Sequence, residues 1–402
     1  MKLLFISCVC SKTSFDYIYK KSKIKPLQSI QQFHKMLVSG LKCNRVDITA
    51  LSEIPASGIS NRTVILNSEQ YDGICYHYLP FIKIPVIKAA LHILSSAYFF
   101  LQWIWVTKKN KNERHIICDI FSYWPSITIL LLSKIFRVKT CLILTDLPSM
   151  VSSISSQTHF SLSTITAHIG NLFLSKFDSY VFITSQMNEV VNKNQKPFIV
   201  MEGLVNCFFD PIQLKSSKSS NFCIMYSGGL YEKYGIKKLV DAFKYIPYKD
   251  IELHLYGDGE LRDFLLKVNE LDSRIFYNGV LPNSEIVKRQ AEVDLLINPR
   301  SAKEEFTKYS FPIKNLEYMA SGTPLLTTQL PGMPLEYFSY VYIIDDETAA
   351  GIADKIITLY NERDSIKIMG EKAKKFVMEN KNYIFQGKRI SEFLYKLDQK
   401  YE

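Results

Sequence analysis

The 402-residue sequence has no paired spacing among its eight cysteines, which stand at positions 8, 10, 43, 75, 118, 141, 207 and 223. Only the first two are near neighbours, inside a predicted strand, and no histidine cluster accompanies them. Neither a disulfide framework nor a zinc site is therefore predicted. These absences indicate reduced, mostly buried thiols in a cytosolic protein.

Acidic residues are scarce in the first half of the chain. Between residues 1 and 200, 22 Lys and Arg stand against 10 Asp and Glu, a balance of +12. Residues 201–402 hold 27 against 29, or −2, so the net charge of +10 belongs to the first half. This asymmetry favours an acidic partner, such as an anionic membrane surface, a phosphorylated lipid or nucleic acid. Because no recognisable nucleic-acid motif accompanies the basic residues, nucleic acid is not the expected partner.

No secretory signal is predicted, and one long uncharged run needs explanation. The initial MKLLFISCVC is short and lacks a small-residue cleavage pattern, so it predicts a first strand. Residues 89–106 carry no formal charge and approach the length of a membrane-spanning helix. Four polar residues weaken a spanning role: His92, Ser95, Ser96 and Gln102. Segment 84–106 can be a buried or groove-lining helix, a helix in the membrane interface, or a spanning helix.

Short apolar runs alternate with helical segments in both halves, which predicts parallel sheets covered by helices. The predicted strands are KLLFIS near the start, 115–120, 140–148, 178–185, 222–229, 251–260, 274–279 and 293–299. A helix over 312–322 has Pro in its first turn and Gly at its end. The predicted fold class is α/β, with two Rossmann-like doubly wound domains that face each other across a cleft.

The length and composition also favour two domains, because 402 residues with 47% hydrophobic content exceed one ordinary core. We expect a first domain over 1–205 and a second over 206–385. A C-terminal helix over 386–402 is expected to return toward the first domain. The hinge is predicted near 205–221.

Candidate site residues follow the strands of the second half. Gly228 and Gly229 would let backbone N–H groups approach a phosphate, although a tight turn explains them equally well. Arg300 follows a later strand, and Lys308 and Lys314 lie along the same loop and helix start. Two or three cations at a helix amino terminus predict a diphosphate site. The alternative is a solvated charged loop, balanced by two nearby glutamates.

Glu317 stands three residues after Lys314, on nearly the same side of the predicted helix. A carboxylate beside a phosphate site needs another partner. A ribose diol provides one, because a carboxylate accepts hydrogen bonds from two neighbouring hydroxyls. We therefore expect Lys314 to bind phosphate and Glu317 to bind ribose; a simple Lys–Glu surface pair is the alternative.

The stretch SFPIKNLEYMASGTPLL resembles the donor-site helix of family 4 glycosyltransferases, which are retaining enzymes of the GT-B fold. In that family a helix with the pattern E-A-M-A-x-G-x-P binds the ribose of a nucleotide sugar. The rest of the second domain follows the family's order, and EYMASGTP is similar to the branch that builds bacterial surface polysaccharides. We expect seven residues to bind the donor: Gly228, Gly229, Lys233, Gly257, Val280, Lys314 and Glu317.

Three positions depart from the family pattern. Tyr309 stands in place of the first of two glutamates, Gly229 in place of an arginine, and Tyr234 in place of a lysine. The cations for the diphosphate must then come from the neighbouring basic residues: Lys233, Arg300, Lys308 and Lys314.

In the first domain, Asp146 of LILTDLPS matches the region where the family has a His or Asp near the acceptor and the donor sugar. A turn-capping role is the alternative for Asp146. The expected catalytic residues are therefore Asp146, Arg300 and Lys308.

The resemblance implies transfer of a hexose from a UDP- or GDP-sugar to a lipid-linked oligosaccharide, with retention, in bacterial surface polysaccharide biosynthesis. The nucleotide sugar is the co-substrate, and neither a cofactor nor a metal is implied. The protein is expected in the cytoplasm at the inner face of the membrane. Two alternatives remain open: a catalytically inactive, membrane-associated nucleotide-binding subunit, or a sugar-nucleotide epimerase on the same fold.

Overall fold

The computed structural model describes residues 1–119, 122–147, 173–206 and 221–399. The chain divides into two compact units. Met1–Leu204 together with Tyr383–Glu402 forms the first, and Val205–Asn382 forms the second. Most of the predicted hinge at 205–221 lies outside the described residues.

The first unit is built on a mostly parallel sheet. Its described strands are β1 (Lys2–Ser7), β2 (Asp47–Glu53), β3 (Thr63–Val64), β4 (Glu69–Tyr71), β5 (Ile74–Leu79), β6 (Phe81–Ile82), β7 (Arg114–Asp119), β8 (Lys139–Leu144), β9 (Ser179–Phe182) and β10 (Phe198–Val200). Eight of them form one sheet in the order β10-β9-β8-β7-β1-β2-β5-β4, and only β4 and β5 pair antiparallel. The central strands β1, β7 and β8 are almost wholly buried, as parallel strands covered on both faces should be.

Helices connect these strands. The described ones are α1 (Lys12–Lys21), α2 (Gln28–Cys43), α3 (Pro85–Val106), α4 (Tyr123–Phe136) and α5 (Met187–Val191). Ser11 caps α1, because its hydroxyl accepts a hydrogen bond from the backbone N–H of Ser14 at 3.0 Å. The long apolar α3 packs against α4.

The second unit has a fully parallel six-stranded sheet. Its strands are β11 (Phe222–Ser227), β12 (Ile251–Tyr256), β13 (Ile275–Tyr277), β14 (Leu295–Asn298), β15 (Leu325–Thr328) and β16 (Tyr342–Ile344). They are arranged in the order β13-β12-β11-β14-β15-β16. The described helices are α6 (Ile236–Ala242), α7 (Arg262–Leu271), α8 (Asn283–Glu292), α9 (Ile313–Ser321), α10 (Ala349–Asn361) and α11 (Ile366–Asn380). The core lies between this sheet and α6, α7 and α10.

The last helix, α12 (Tyr383–Gln399), belongs to the first unit and packs against α2. Gly40 of α2 lies so close to the backbone of α12 that any side chain there would clash with the Tyr383 carbonyl. Further along α12, Asp398 lies 2.9 Å from Nε2 of the buried His115 on β7. Helix α12 is therefore packed into the first unit.

The predicted α/β class with parallel sheets is confirmed, and each of the eight predicted strands overlaps an observed strand. The predicted helix over 312–322 is α9, which ends at Gly322 in the left-handed conformation.

Candidate functional site

The candidate site is the edge of the second sheet at which its strands end. In this sheet β12 and β13 lie on one side of β11, and β14, β15 and β16 lie on the other. In open parallel sheets, ligands lie beyond the carboxyl ends of the strands where the strand order reverses. Here that point lies between β11 and β14, and Gly228 and Arg300 stand just beyond the ends of these two strands.

Glycines bring the ends of β11 and β12 into close backbone contact. Gly228 (φ +144°) and Gly257 (φ +131°) adopt conformations that other residues rarely reach. A side chain at Gly257 would clash with the Gly228 carbonyl, and one at Gly228 would clash with the Lys314 ammonium group. At Gly229 a Cβ would crowd the ring of Tyr231. The positive φ of Gly228 agrees with the tight-turn interpretation. Because Gly228 has no side chain, the Lys314 side chain can also lie directly against its backbone.

Lys314, in the first turn of α9, reaches back over the end of β11. Its ammonium group donates a hydrogen bond to the Tyr226 hydroxyl at 2.7 Å and lies 4.4 Å from the centre of that ring. Burial, and then the charge of Arg300, lower the pKa of Lys314 from 10.5 to about 7, while Glu317 opposes the shift. Lys314 therefore exchanges a proton near neutral pH, and a bound anion would favour its charged form.

Arg300 and Lys233 complete a cationic cluster with Lys314 around the ring of Tyr234. Their charged groups lie 5.0, 5.4 and 5.6 Å from its centroid, respectively. Arg300 also lies 4.3 Å from the centre of the Phe306 ring. The electron-rich aromatic faces reduce the repulsion among three like charges that share one region. We call Lys233, Arg300 and Lys314 the cationic cluster; it has the charge and the donors to bind a diphosphate.

Hydrogen bonds fix α9 at this edge. The backbone N–H of Ser227, at the end of β11, donates to the Tyr318 hydroxyl at 2.8 Å. The Asn298 side chain, at the end of β14, donates to that of Asn315 at 2.7 Å. Tyr318 and Asn315 are fully buried. The first turns of α9 are thus held against the ends of the two strands that flank the point of reversal.

Glu317 and Val280 lie at the same edge and are accessible. Glu317 lies one turn of α9 after Lys314, and solvent reaches its side chain. Nearby protein atoms displace part of the water around its carboxylate and raise its pKa above the usual value. Val280 follows β13 and is 69% exposed. The loop that carries it is joined to the β12 loop, because the Gly257 N–H donates to the Gly279 carbonyl at 2.8 Å. Contact with a ligand remains a prediction for both residues.

Of the three predicted catalytic residues, Arg300 and Lys308 belong to the second unit and Asp146 to the first. Arg300 belongs to the cationic cluster. Lys308 ends the short 3₁₀ turn Glu305–Lys308 and is exposed, and within the described residues no hydrogen bond, ion pair or ring contact joins it to the cluster. Asp146 belongs to the first unit, where it stands exposed two residues after β8. Catalytic roles for Lys308 and Asp146 stay predictions.

Aromatic residues are the part of this site that sequence reasoning missed. Tyr226, the penultimate residue of β11, and Phe306, in the loop after β14, were assigned no role. Tyr234 was noted only as a departure from a family pattern. The position of Tyr226 near a strand end was an available signal, whereas the ring contacts of Phe306 depend on the folded loop.

The carboxyl edge of the first sheet carries a further unpredicted cluster. His34 of α2 is buried, with Nδ1 3.8 Å from Sγ of Cys8 after β1 and Nε2 3.1 Å from Oδ2 of Asp119 at the end of β7. Burial alone would lower the pKa of His34, but the charge of Asp119 and hydrogen bonds to Asp119 and Cys8 raise it to about 10. His34 is therefore protonated at neutral pH.

Comparison with known proteins places a domain over this site. Residues 211–376 match the family described as glycosyl transferases group 1, so the second unit carries such a domain. N-acetyl-alpha-D-glucosaminyl L-malate synthase of Bacillus anthracis is 29% identical over 150 residues. That match covers 36% of this chain and 37% of the relative, so the chain spans about a third of the curated relative's length.

Solved structures resemble the chain over almost its whole length. Sucrose-phosphate synthase from Thermosynechococcus elongatus has a TM-score of 0.68 at 13% identity and covers 99% of each chain. A glycosyltransferase from Rickettsia africae has a TM-score of 0.63 at 16% identity and covers 100% of this chain and 99% of its own. Anabaena HepE in complex with UDP-glucose has a TM-score of 0.60 at 14% identity, covering 98% and 100%. These likenesses confirm the fold, two Rossmann-like domains of the GT-B type.

Proposed function

Because the second unit carries a glycosyl transferases group 1 domain, we propose that the protein is a retaining glycosyltransferase. It transfers a hexose from a UDP- or GDP-sugar to a lipid-linked oligosaccharide in bacterial surface polysaccharide biosynthesis. The observation that carries this proposal is the cationic cluster of Lys233, Arg300 and Lys314 at the point of strand reversal. Anabaena HepE, whose fold is similar, was solved with UDP-glucose, which supports a nucleotide sugar as the donor.

The cationic cluster would stabilise the leaving group. As the bond between the sugar and the diphosphate breaks, negative charge develops on the departing diphosphate. Arg300 offers a planar set of donors, and Lys314 offers a charge on a half-buried side chain, where electrostatic interactions are stronger than in bulk water. In this mechanism the protein supplies the charge with its own side chains, so the proposed reaction requires no cofactor.

The nucleoside would lie along the ends of β11, β12 and β13. Glu317 would accept hydrogen bonds from the two ribose hydroxyls, one turn of α9 beyond the phosphate contact at Lys314. Neighbouring protein atoms raise the pKa of Glu317 above its usual value, and two donated hydrogen bonds would favour its charged form. The backbone at Gly228, Gly229 and Gly257 would let the ligand approach, and the exposed Val280 would contact the base or sugar.

The acceptor would be bound by the first unit. Asp146 stands at the carboxyl edge of its sheet, as an acceptor-side carboxylate would. The balance of +12 over residues 1–200 suits an acceptor that carries lipid-linked phosphate at the inner face of the cell membrane.

The polarity of α3 supports membrane association. α3 is long and apolar enough to cross a membrane, yet its buried face includes the polar His92 and Ser96. His92 Nε2 lies 3.1 Å from the Pro80 carbonyl, so this face is bound to protein. The outward face is apolar: Val86, Leu94, Tyr98, Trp105 and Val106 are each 66–71% exposed. This face of α3 is therefore not buried, so of the first alternative only a groove-lining helix agrees with the exposure.

We favour a helix lying in the membrane interface over a spanning helix. One side of α3 contacts the first unit, since Phe100 packs edge-on against Phe136 of α4 with ring centres 5.8 Å apart. A spanning helix would have to leave these contacts. Lysines flank both ends of α3, at Lys83 before it and at Lys108, Lys109 and Lys111 after it, where anionic headgroups would bind them.

A screen of nucleotide sugars tests the proposed activity. The purified protein is incubated with UDP- and GDP-sugars and a lipid-linked acceptor, and released nucleotide and the anomeric configuration of the product are measured. Transfer with retention from one donor is the expected result. Nucleotide binding without turnover would support the inactive subunit, and conversion of one nucleotide sugar into another without acceptor would support the epimerase.

A further inference from the structure

The amino end of the second sheet, opposite to the candidate site, carries three potential metal ligands. Cys223 on β11 is the register partner of Glu252 on β12, and His254 follows Glu252 by two residues on the same face. Sγ of Cys223 lies 3.8 Å from Oε2 of Glu252, and Nε2 of His254 lies 3.1 Å from the same oxygen. All three side chains are partly exposed. A thiol, a carboxylate and an imidazole thus converge on one accessible point.

The separations match those of a tetrahedral zinc site. Zinc–sulfur bonds of about 2.3 Å and zinc–nitrogen or zinc–oxygen bonds of about 2.0–2.2 Å place sulfur about 3.6 Å from oxygen and nitrogen about 3.4 Å from oxygen. The observed 3.8 and 3.1 Å differ from these values by only a few tenths of an ångström. The donor atoms of Cys223, Glu252 and His254 all lie within 4.8 Å of one another. Small side-chain adjustments would therefore complete the site.

Neighbouring residues hold the ligands in this arrangement. The Asn221 side chain donates to Oε1 of Glu252 at 2.6 Å, which leaves Oε2 directed at the other two ligands. The His254 ring stacks on Phe276 of β13, with centroids 4.9 Å apart and planes 11° from parallel. Metal sites commonly have such supporting contacts around the ligands.

A second group of a cysteine, a histidine and a carboxylate lies in the first unit, and its geometry shows what a metal site requires. In the first unit, Cys8 faces Nδ1 of His34 and Asp119 faces Nε2. The two ring nitrogens point in different directions, so one ion cannot be bound by all three residues. In the second unit His254 presents a single nitrogen, Nε2, to the group formed with Glu252 and Cys223.

We infer that Cys223, Glu252 and His254 bind one divalent transition metal ion of the zinc class, with a fourth position open to water. Cysteine spacing predicted no such site, because the strand register brings together ligands that are distant in sequence. Five residues of strand, about 16 Å, separate Cys223 from Gly228, so the ion would not take part in the proposed transfer. It would link β11 to β12 and stabilise the second unit.

Cobalt and zinc titrations of the untagged, chelator-treated protein test this inference. One equivalent of Co²⁺ should give a thiolate-to-cobalt absorption band and the visible bands of a four-coordinate ion. One equivalent of Zn²⁺ should displace it and raise Tm. Cys223→Ser should abolish the thiolate band, and His254→Gln should weaken Zn²⁺ binding at least tenfold. Cys43→Ser, at an exposed cysteine, is the matched control and should change neither result.

Three results would overturn the inference. These are the absence of a thiolate band in the wild type, its persistence in Cys223→Ser, or equal Zn²⁺ affinity in His254→Gln. Asn221→Ala retains every ligand and should weaken binding about tenfold; unchanged affinity would contradict the arrangement described. UDP-glucose binding measured on the same variants separates this site from the proposed function, because loss of metal should leave it unchanged.

Discussion

The proton exchange of Lys314 predicts that binding of a nucleotide sugar depends on pH. The free protein holds this lysine with a pKa of about 7, because burial and Arg300 disfavour its charged form. A bound diphosphate would favour the charged form, so binding takes up a proton above pH 7. If the diphosphate restores the usual value of 10.5, the Kd rises about 25-fold between pH 6.5 and 8.5, through simple proton linkage.

Isothermal titration calorimetry with UDP-glucose and GDP-mannose measures this effect. A sugar-linked diphosphate keeps its charge across this pH range, so its own titration does not interfere. The other groups near the ammonium are Arg300, Tyr226 and Glu317. Arg300 stays charged, burial holds the pKa of Tyr226 well above 10, and burial raises the pKa of Glu317 above its usual value.

Lys314→Arg is the matched control, because a guanidinium group stays charged throughout the range. Its affinity for the nucleotide sugar should vary less than threefold between pH 6.5 and 8.5. Repeating the titrations in two buffers of different ionisation enthalpy reports proton uptake directly. The reasoning fails if the wild-type affinity is flat across this range, or if Lys314→Arg shows the wild-type slope.

Four further predictions follow from the geometry. Glu317→Ala should weaken UDP binding about tenfold and leave 2′,3′-dideoxy-UDP unaffected; equal losses for both ligands would exclude a ribose contact. Arg300→Ala should lower kcat about 100-fold with a smaller change in donor KM, and full activity would remove it from the leaving-group site. Trp105→Ser should reduce binding to phosphatidylglycerol vesicles, whereas Leu271→Ser, at an even more exposed apolar residue of the second unit, should not. Gly40→Val should destabilise the first unit by about 1–3 kcal/mol in thermal unfolding, because the new side chain meets the Tyr383 carbonyl; an unchanged Tm would contradict that packing.

Several strands that the sequence predicted contain short apolar runs. β1 and β7 are buried along almost their whole length, and their central residues, 3–6 and 116–118, are apolar without interruption. β2 and β5 were missed because their sequences, DITALSE and ICYHYL, mix polar and apolar residues. A signal was present, since Asp72 and Gly73 form the positive-φ turn that joins β4 to β5. An Asp-Gly pair between two strand-like runs is typical of a hairpin.

The site was predictable where it depends on strand ends. Gly228 and Arg300 follow strands in the sequence, and parallel strands end at one edge of a sheet, so their proximity could be inferred. The ring of Tyr234 among three cations could not be inferred, because its position depends on the folded loops around it. The pKa of Lys314 likewise depends on burial that local sequence does not encode.

The placement of α12 has a consequence for the folding of each unit. The second unit is a continuous segment between two parts of the first, and α12, which follows it in the sequence, packs against α2 of the first unit. The first unit therefore needs residues from both sides of the second, whereas the second needs only its own. Removing residues 383–402 should expose apolar surface on α2 and cause aggregation of residues 1–204, leaving the second unit folded.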